Sequence, residues 1–369
     1  MIFKNNRQSF VLLLLLNYLL ASGSNSAQWN ISMATTQEFN SNPFRSVTPY
    51  SDFISTYELG IEKEFDKLNI LYYGSYNSFM ESSDISYYWH QIGLYRGGDD
   101  IMWGAYFEQR INKEANNYFD YQNYVGYLKK SFNLLDIRWN SNIYFSYMNY
   151  SNLSDFNNWV LSANLTASKG FQSKTTFIGS FTFNYKGFKD YNSVEDTSAY
   201  YDLEYVNVSQ IVFNGRIAQS LFENTGLALN INVKKILSGS GFGASLFEST
   251  YGDMELYDDP ISQEGFSTGL MISQVFPNEI VLRLRYNYYH KIYPSQGIYH
   301  SEIEYDKNST RVDDQNTLST ALSKTFYLNS SSGSAINLSL NLYLINNISN
   351  SYYYNYKSNF LSLALSYQF

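Results

Sequence analysis

Apolar and polar positions alternate one by one along most of this chain, most cleanly at its C-terminal end. Leu361, Leu363, Leu365, Tyr367 and Phe369 take one face of an extended segment, and Ser362, Ala364, Ser366 and Gln368 take the other. Successive side chains of a strand point to opposite faces, so period two marks a β-strand with one apolar face. Ile336, Leu338, Leu340, Leu342 and Leu344 repeat the pattern against Asn337, Ser339, Asn341 and Tyr343. So do Phe177, Phe181, Phe183 and Tyr185 against Ser180, Thr182 and Asn184, and Ile280, Leu282, Leu284, Tyr286 and Tyr288 against Arg283, Arg285, Asn287 and Tyr289. Leu135, Ile137, Trp139, Ile143, Phe145 and Tyr147 set a seventh strand against Asp136, Arg138, Asn140, Asn142, Tyr144 and Ser146.

Segmenting the whole chain this way predicts strands at about 28–40, 52–65, 68–81, 85–97, 101–111, 119–132, 134–149, 157–170, 174–187, 200–222, 226–238, 264–276, 279–293, 313–328, 335–349 and 359–369. Counted from the first strand, the even connections are tight turns built around Asp66-Lys67, Gly98-Asp99, Asn133, Phe171-Gln172, Asn224-Thr225, Pro277-Asn278 and Ser331-Ser332. The long polar connections, 188–199, 239–263 and 294–312, are all odd. A soluble sandwich gives loop length no reason to alternate, whereas a transmembrane barrel has short periplasmic turns and long extracellular loops. The expected fold is therefore all-β: an antiparallel up-and-down transmembrane β-barrel of about sixteen strands spanning 28–369.

Residues 1–27 are read as a cleaved signal peptide. Lys4 and Arg7 precede an apolar run from Phe10 to Leu20, followed by small residues from Ala21 to Ala27. The run is too short for a membrane-spanning helix. Cleavage after Gly23 and cleavage after Ala27 both remain open, and the address this implies is the outer membrane.

Composition narrows the function. Formal charge is −8, and removing Lys4 and Arg7 makes it more negative, which argues against a nucleic-acid partner. Cysteine is absent, which excludes disulfides, thiolate metal sites and Cys nucleophiles. Aromatic content is 18% although mean hydropathy is slightly negative, as expected when one face of every strand meets lipid and the other meets water. Trp29, Trp89, Trp103 and many tyrosines near strand ends read as interfacial girdle residues.

The closing sequence Leu-Ser-Leu-Ala-Leu-Ser-Tyr-Gln-Phe, ending at Phe369, resembles the terminal strand of bacterial outer-membrane barrels, which implies recognition by the barrel assembly machinery. Arg311-Val312-Asp313, Phe326, Ile348-Ser349-Asn350, Tyr354-Asn355-Tyr356 and Asn359 resemble the last hairpins of the barrels of surface lipoprotein assembly modulators and exopolysaccharide exporters. That second resemblance implies an export pore working with a periplasmic tetratricopeptide-repeat partner, although such repeats are absent from this chain.

By phase, Glu58, Glu62, Glu64, Asp136, Arg138, Lys234, Arg283 and Arg285 point into the lumen. Charges of both signs there would either set a transverse field across a water-filled passage or pair to stiffen the wall. Tyr289 and Tyr343 share the inner face, where stacking on sugar rings is chemically open to them. The connection 239–263 concentrates Glu248, Asp253, Glu255, Asp258 and Asp259, a candidate cation-binding or merely solvated acidic loop. His300 shares its loop with Asp313 and Asp314, the ingredients of a water-activating dyad at the rim. Gly239-Ser240-Gly241-Phe242-Gly243 is neither a nucleophile elbow nor a phosphate cradle, since no helix follows it. No catalytic site, cofactor or metal is expected. A barrel this wide keeps an aqueous channel unless loops fill it, so the leading expectation is passive diffusion of small hydrophilic solutes, ahead of export and of a loop-borne receptor, adhesin or hydrolase.

Overall fold

The computed structural model describes residues 29–65, 67–98, 101–188, 207–239, 258–329 and 334–368. The signal segment, Phe369 and the acidic residues Glu248, Asp253 and Glu255 lie outside them. In chain order the strands are β1 (Trp29–Asn40), β2 (Asp52–Phe65), β3 (Leu68–Phe79), β4 (Tyr87–Arg96), β5 (Ile101–Asn112), β6 (Tyr121–Leu134), β7 (Ile137–Tyr150), β8 (Asn158–Gly170) and β9 (Thr175–Phe188). There follow β10 (Val208–Phe222), β11 (Thr225–Ser238), β12 (Glu264–Phe276), β13 (Ile280–Tyr293), the two-residue strands β14 (Ile298–Tyr299) and β15 (Tyr305–Asp306), then β16 (Arg311–Asn329), β17 (Ser334–Ser349) and β18 (Tyr356–Gln368).

Sixteen of these pair antiparallel with their chain neighbours and close into a barrel, β1 meeting β18 with Ser32 opposite Gln368 and Asn40 opposite Phe360. The sequence reading of an all-β, sixteen-strand up-and-down barrel holds. What it left out is the β14–β15 ribbon, a separate two-stranded sheet inside the long connection after β13. Several boundaries also move by one to three residues: β7 starts at Ile137, β18 starts at Tyr356, and β16 starts at Arg311 because Arg311 pairs with Tyr293.

Register sorts every strand residue to one face, because residues opposite each other share a side. Leu340, Leu342 and Leu344 on β17 stand opposite Leu363, Leu361 and Asn359 on β18, and the five leucines are 39–49% exposed. Outward phase likewise gathers Phe181, Phe213, Ile231, Leu270, Leu318 and Leu322, all large, apolar and exposed. An uncovered apolar belt on all sides belongs in hydrocarbon, and closure leaves no strand edge unpaired there.

Burial concentrates inside the barrel, near the ends carrying the long connections. Among the described residues three small apolar clusters form there: Phe44, Ile54, Phe79 and Tyr87; Val160, Val208 and Ile261; and Tyr354 with Tyr356. Polar caps hold the connections down. The Asp52 carboxylate accepts the backbone N–H groups of Met80, Glu81 and Ser82, each at 3.0 Å, and Asn42 ties its own loop to the Lys357 carbonyl at 3.0 Å.

Candidate functional site

The inner wall faces the space the barrel encloses. Register puts Glu58 opposite Ala34 and Ser75, Glu62 opposite Asn30 and Leu71, and Glu64 opposite Asn69, all in inward phase on β2. Arg283 and Arg285 on β13, Arg138 on β7 and Lys234 on β11 share that phase. Asp136 does not: it sits with Leu135 in the two-residue turn between β6 and β7, at φ 57°, and is exposed. The alternation had been carried one residue past the strand end, and a tight turn breaks the phase.

Sequence reasoning passed over Arg216, which is inward on β10, opposite Ile178 and Asn230. Its guanidinium donates to Asn230 Oδ1 at 3.2 Å. The surrounding wall is a groove of about 260 Å³ in which the amides and hydroxyl of Asn214, Asn230, Asn232, Asn287 and Ser267 flank Arg216 among apolar Ile178 and Ile231 and the glycines Gly215 and Gly269. In the closed ring β2 and β10 lie eight strands apart in either direction, so they are diametrically opposed. Glu58 and Arg216 each stand near the middle of their strand. Glu62 accepts a hydrogen bond from the Tyr95 hydroxyl, and Glu108, inward on β5, accepts one from Asn123 at 2.9 Å. Apart from Arg110, which is buried over the Tyr87 ring on β5, acidic groups thus line the β1–β5 side of the lumen and basic groups the β7–β13 side.

The last stretch of the acidic connection is folded against the basic side. Asp258 pairs with Lys291 and accepts the Tyr293 hydroxyl. Asp259 pairs with Lys186 at 3.1 Å. The Gln210 amide donates to the carbonyls of Pro260, Ile261 and Gln263 at 2.7–3.1 Å, and Lys234 reaches the Pro260 carbonyl at 3.2 Å. Asp258 and Asp259 are therefore partners of the wall's own lysines and not an open cation site. Among the described residues no group of three or more His, Asp or Glu side chains converges as metal ligands would. Burial by itself raises the Asp258 pKa, but Lys291 and Arg311 outweigh it and hold the carboxyl well below the usual range.

Arg311 is the most enclosed cation of the wall. It is sandwiched between the rings of Tyr293 and Tyr354, at 4.0 and 3.3 Å from their centroids, and donates to Asp313 and to Gln296 Oε1 at 2.9 Å. Arg311 and Asp313 belong to the hairpin segment whose likeness was to export barrels, and here they brace a connection.

The rim dyad is not assembled. His300 Nε2 stands 3.9 Å from Asp306, Asp313 is held by Arg311, and Asp314 takes His290 at 2.9 Å and the Tyr288 hydroxyl at 2.6 Å in outward phase. Asp306 is held below the usual carboxylate range first by the Ser309 hydroxyl. Tyr343 does lie inward, but its ring stacks on Phe360 with centroids 4.4 Å apart.

The fold defines a class, the closed sixteen-stranded transmembrane barrel of porin-like shape. No family model and no curated protein sequence matches the chain. Among solved structures it is similar to OccAB1 of Acinetobacter baumannii, with a TM-score of 0.58 and 9% identity over 94% of this chain and 97% of that one. OccAB3 of the same organism gives 0.54 and 9% over 94% and 100%, and Pseudomonas aeruginosa OpdK, solved with vanillate, gives 0.50 and 9% over 93% and 98%. At such identities the likeness is one of fold, and that fold is an outer-membrane barrel's.

Proposed function

We propose that this chain is an outer-membrane channel for passive diffusion of small hydrophilic solutes, without catalysis. The observation that carries the reading is the opposition of Glu58 and Glu62 on β2 to Arg216 on β10 across a closed ring, with Arg138, Arg283 and Arg285 extending the basic side. Water between walls of opposite sign orients in the transverse field, so polar solutes that align with it exchange hydration for wall contacts while apolar ones do not. The amide-rich groove around Arg216 offers such contacts to hydroxyl and carboxylate groups. Its surroundings would be outer-membrane lipid and lipopolysaccharide, and the terminal strand would be handed to the barrel assembly machinery. Reconstitution in planar bilayers tests the reading. Stable ohmic channels are expected, with ion selectivity that moves when wall charges are changed; an insertion that never conducts would refute it.

A further inference from the structure

The outward face carries charge as well as grease, and its acidic groups are confined to one height. Outward acidic side chains on the described strands are Glu264 and Asp314, both near the ends with long connections. At the opposite, short-turn end the outward phase holds four exposed or half-buried cations, Arg96, Lys130, Lys169 and Lys324, besides Lys63, which is buried over the Trp29 and Phe65 rings; Lys235 and Lys357 are outward at the long-connection end. Arg96 is the last residue of β4, opposite Leu68 and Trp103, and Lys130 on β6 is opposite Ile101 and Ser141. Lys169 is the penultimate residue of β8, opposite Phe177, and Lys324 on β16 is opposite Leu338. Among the described residues none of the four is paired with an acidic side chain, and Arg96 and Lys130 are exposed.

Lysine or arginine facing lipid is tolerated where a long stem lies along apolar surface and the head reaches the interface. Lys324 Nζ lies 4.7 Å from the Phe326 ring centroid and Lys169 Nζ 5.9 Å from that of Phe171, cation over aromatic at the girdle. Arg96, Lys130 and Lys169 sit on alternate strands β4, β6 and β8, which at normal strand spacing sets them roughly 10 Å apart around the wall, comparable with neighbouring headgroups. The acidic turn residues Asp136, Glu223 and Glu279 lie beyond the strand ends, on the water side.

We infer that the arc of Arg96, Lys130 and Lys169 is a docking surface for the phosphates of anionic glycerophospholipid in the leaflet facing the short turns; Lys324, on β16, lies on the far side of the ring and is not part of it. The inference rests on the membrane-barrel reading above and adds a lipid preference to it. Each guanidinium or ammonium offers several donors to phosphate oxygens, and phosphatidylglycerol, unlike phosphatidylcholine, brings no cation of its own to repel them.

The test is native mass spectrometry of the purified full-length barrel released from mixed micelles of phosphatidylglycerol and phosphatidylcholine. A retained excess of phosphatidylglycerol of about fivefold is expected from a single well-placed basic contact. In the combined variant Arg96→Gln, Lys130→Gln and Lys169→Gln the ratio should fall toward parity, while Lys235→Gln with Lys357→Gln, at the other end of the wall, should leave it unchanged. If the threefold variant does not fold, the wild type decides alone: its preference must fade with added salt. Parity in the wild type, a preference indifferent to salt, a variant that keeps it, or lipopolysaccharide displacing phosphatidylglycerol from the arc would overturn the inference. A chain that inserts and conducts but does not discriminate lipids sinks this inference alone; one that never enters a bilayer sinks the functional reading.

Discussion

Lys186 and Asp259 form an ion pair of 3.1 Å in which both side chains are 3% exposed or less. Lys186 comes from β9 and Asp259 from the connection that follows β11, so the pair stitches a loop back onto the inner wall. Removing one partner strands a buried charge, which is far more damaging than losing both. We expect Asp259→Asn to destabilise the barrel by about 3 kcal/mol and Lys186→Met with Asp259→Leu to recover most of it. The temperature at which the folded band disappears in semi-native electrophoresis measures this. Equal losses in the single and double variants would contradict it.

Asp258 predicts the pH response of the same anchor. Its carboxyl is held below the ordinary value by Lys291 and Arg311 against the opposing effect of burial. A depressed folded pKa means the stabilisation is fully present above the unfolded value, about 3.9 for Asp, and is lost only as pH falls through the folded one. The unfolding temperature should therefore lose nothing from this group between neutrality and about pH 5 and fall in stronger acid. In Asp258→Asn the acid-side fall should shrink. A wild-type decline already under way near neutrality would point to a different group.

Arg216 predicts the selectivity. With Glu58 across the lumen on β2, Arg216→Glu should move the reversal potential in a salt gradient toward cations, and Glu58→Gln should move it toward anions. Two shifts of the same sign, or no shift in either, would show that these side chains do not line the conducting path.

Neighbouring residues on β17 predict the orientation of the wall. Leu340 is 43% exposed in outward phase and Ser339 faces inward opposite Ser323 and Ala364. Leu340→Arg should cost about 2–4 kcal/mol in a bilayer, and Ser339→Arg much less, because the lumen hydrates the guanidinium. Folding titrations into vesicles would read the difference, and a reversed order would turn the barrel inside out.

The wall was legible because its cause is local. Leu361, Leu363 and Leu365 alternate with small polar residues because each successive Cβ points the other way, a property of two adjacent peptides that needs no knowledge of the rest of the chain. The same phase would have found Lys186, the next even position after Asn184, and Lys291, in step with Arg283 and Arg285; the sequence signal was present for both. Asp136 was misread for the complementary reason: a two-residue turn at positive φ ends the alternation, and phase says nothing where the strand has stopped.

By itself, then, the chain determined an antiparallel barrel of sixteen strands, the side most strand residues face, and which ends carry the long connections; Trp89, expected in the girdle, instead packs inward against the Phe44 cluster. Only the tertiary structure decided that Glu58 confronts Arg216, that Asp258 and Asp259 leave solvent for Lys291 and Lys186, and that Arg311 locks between Tyr293 and Tyr354. Those pairings depend on closure of the ring and on how far a connection reaches back across it, distances that alternation along one strand does not encode.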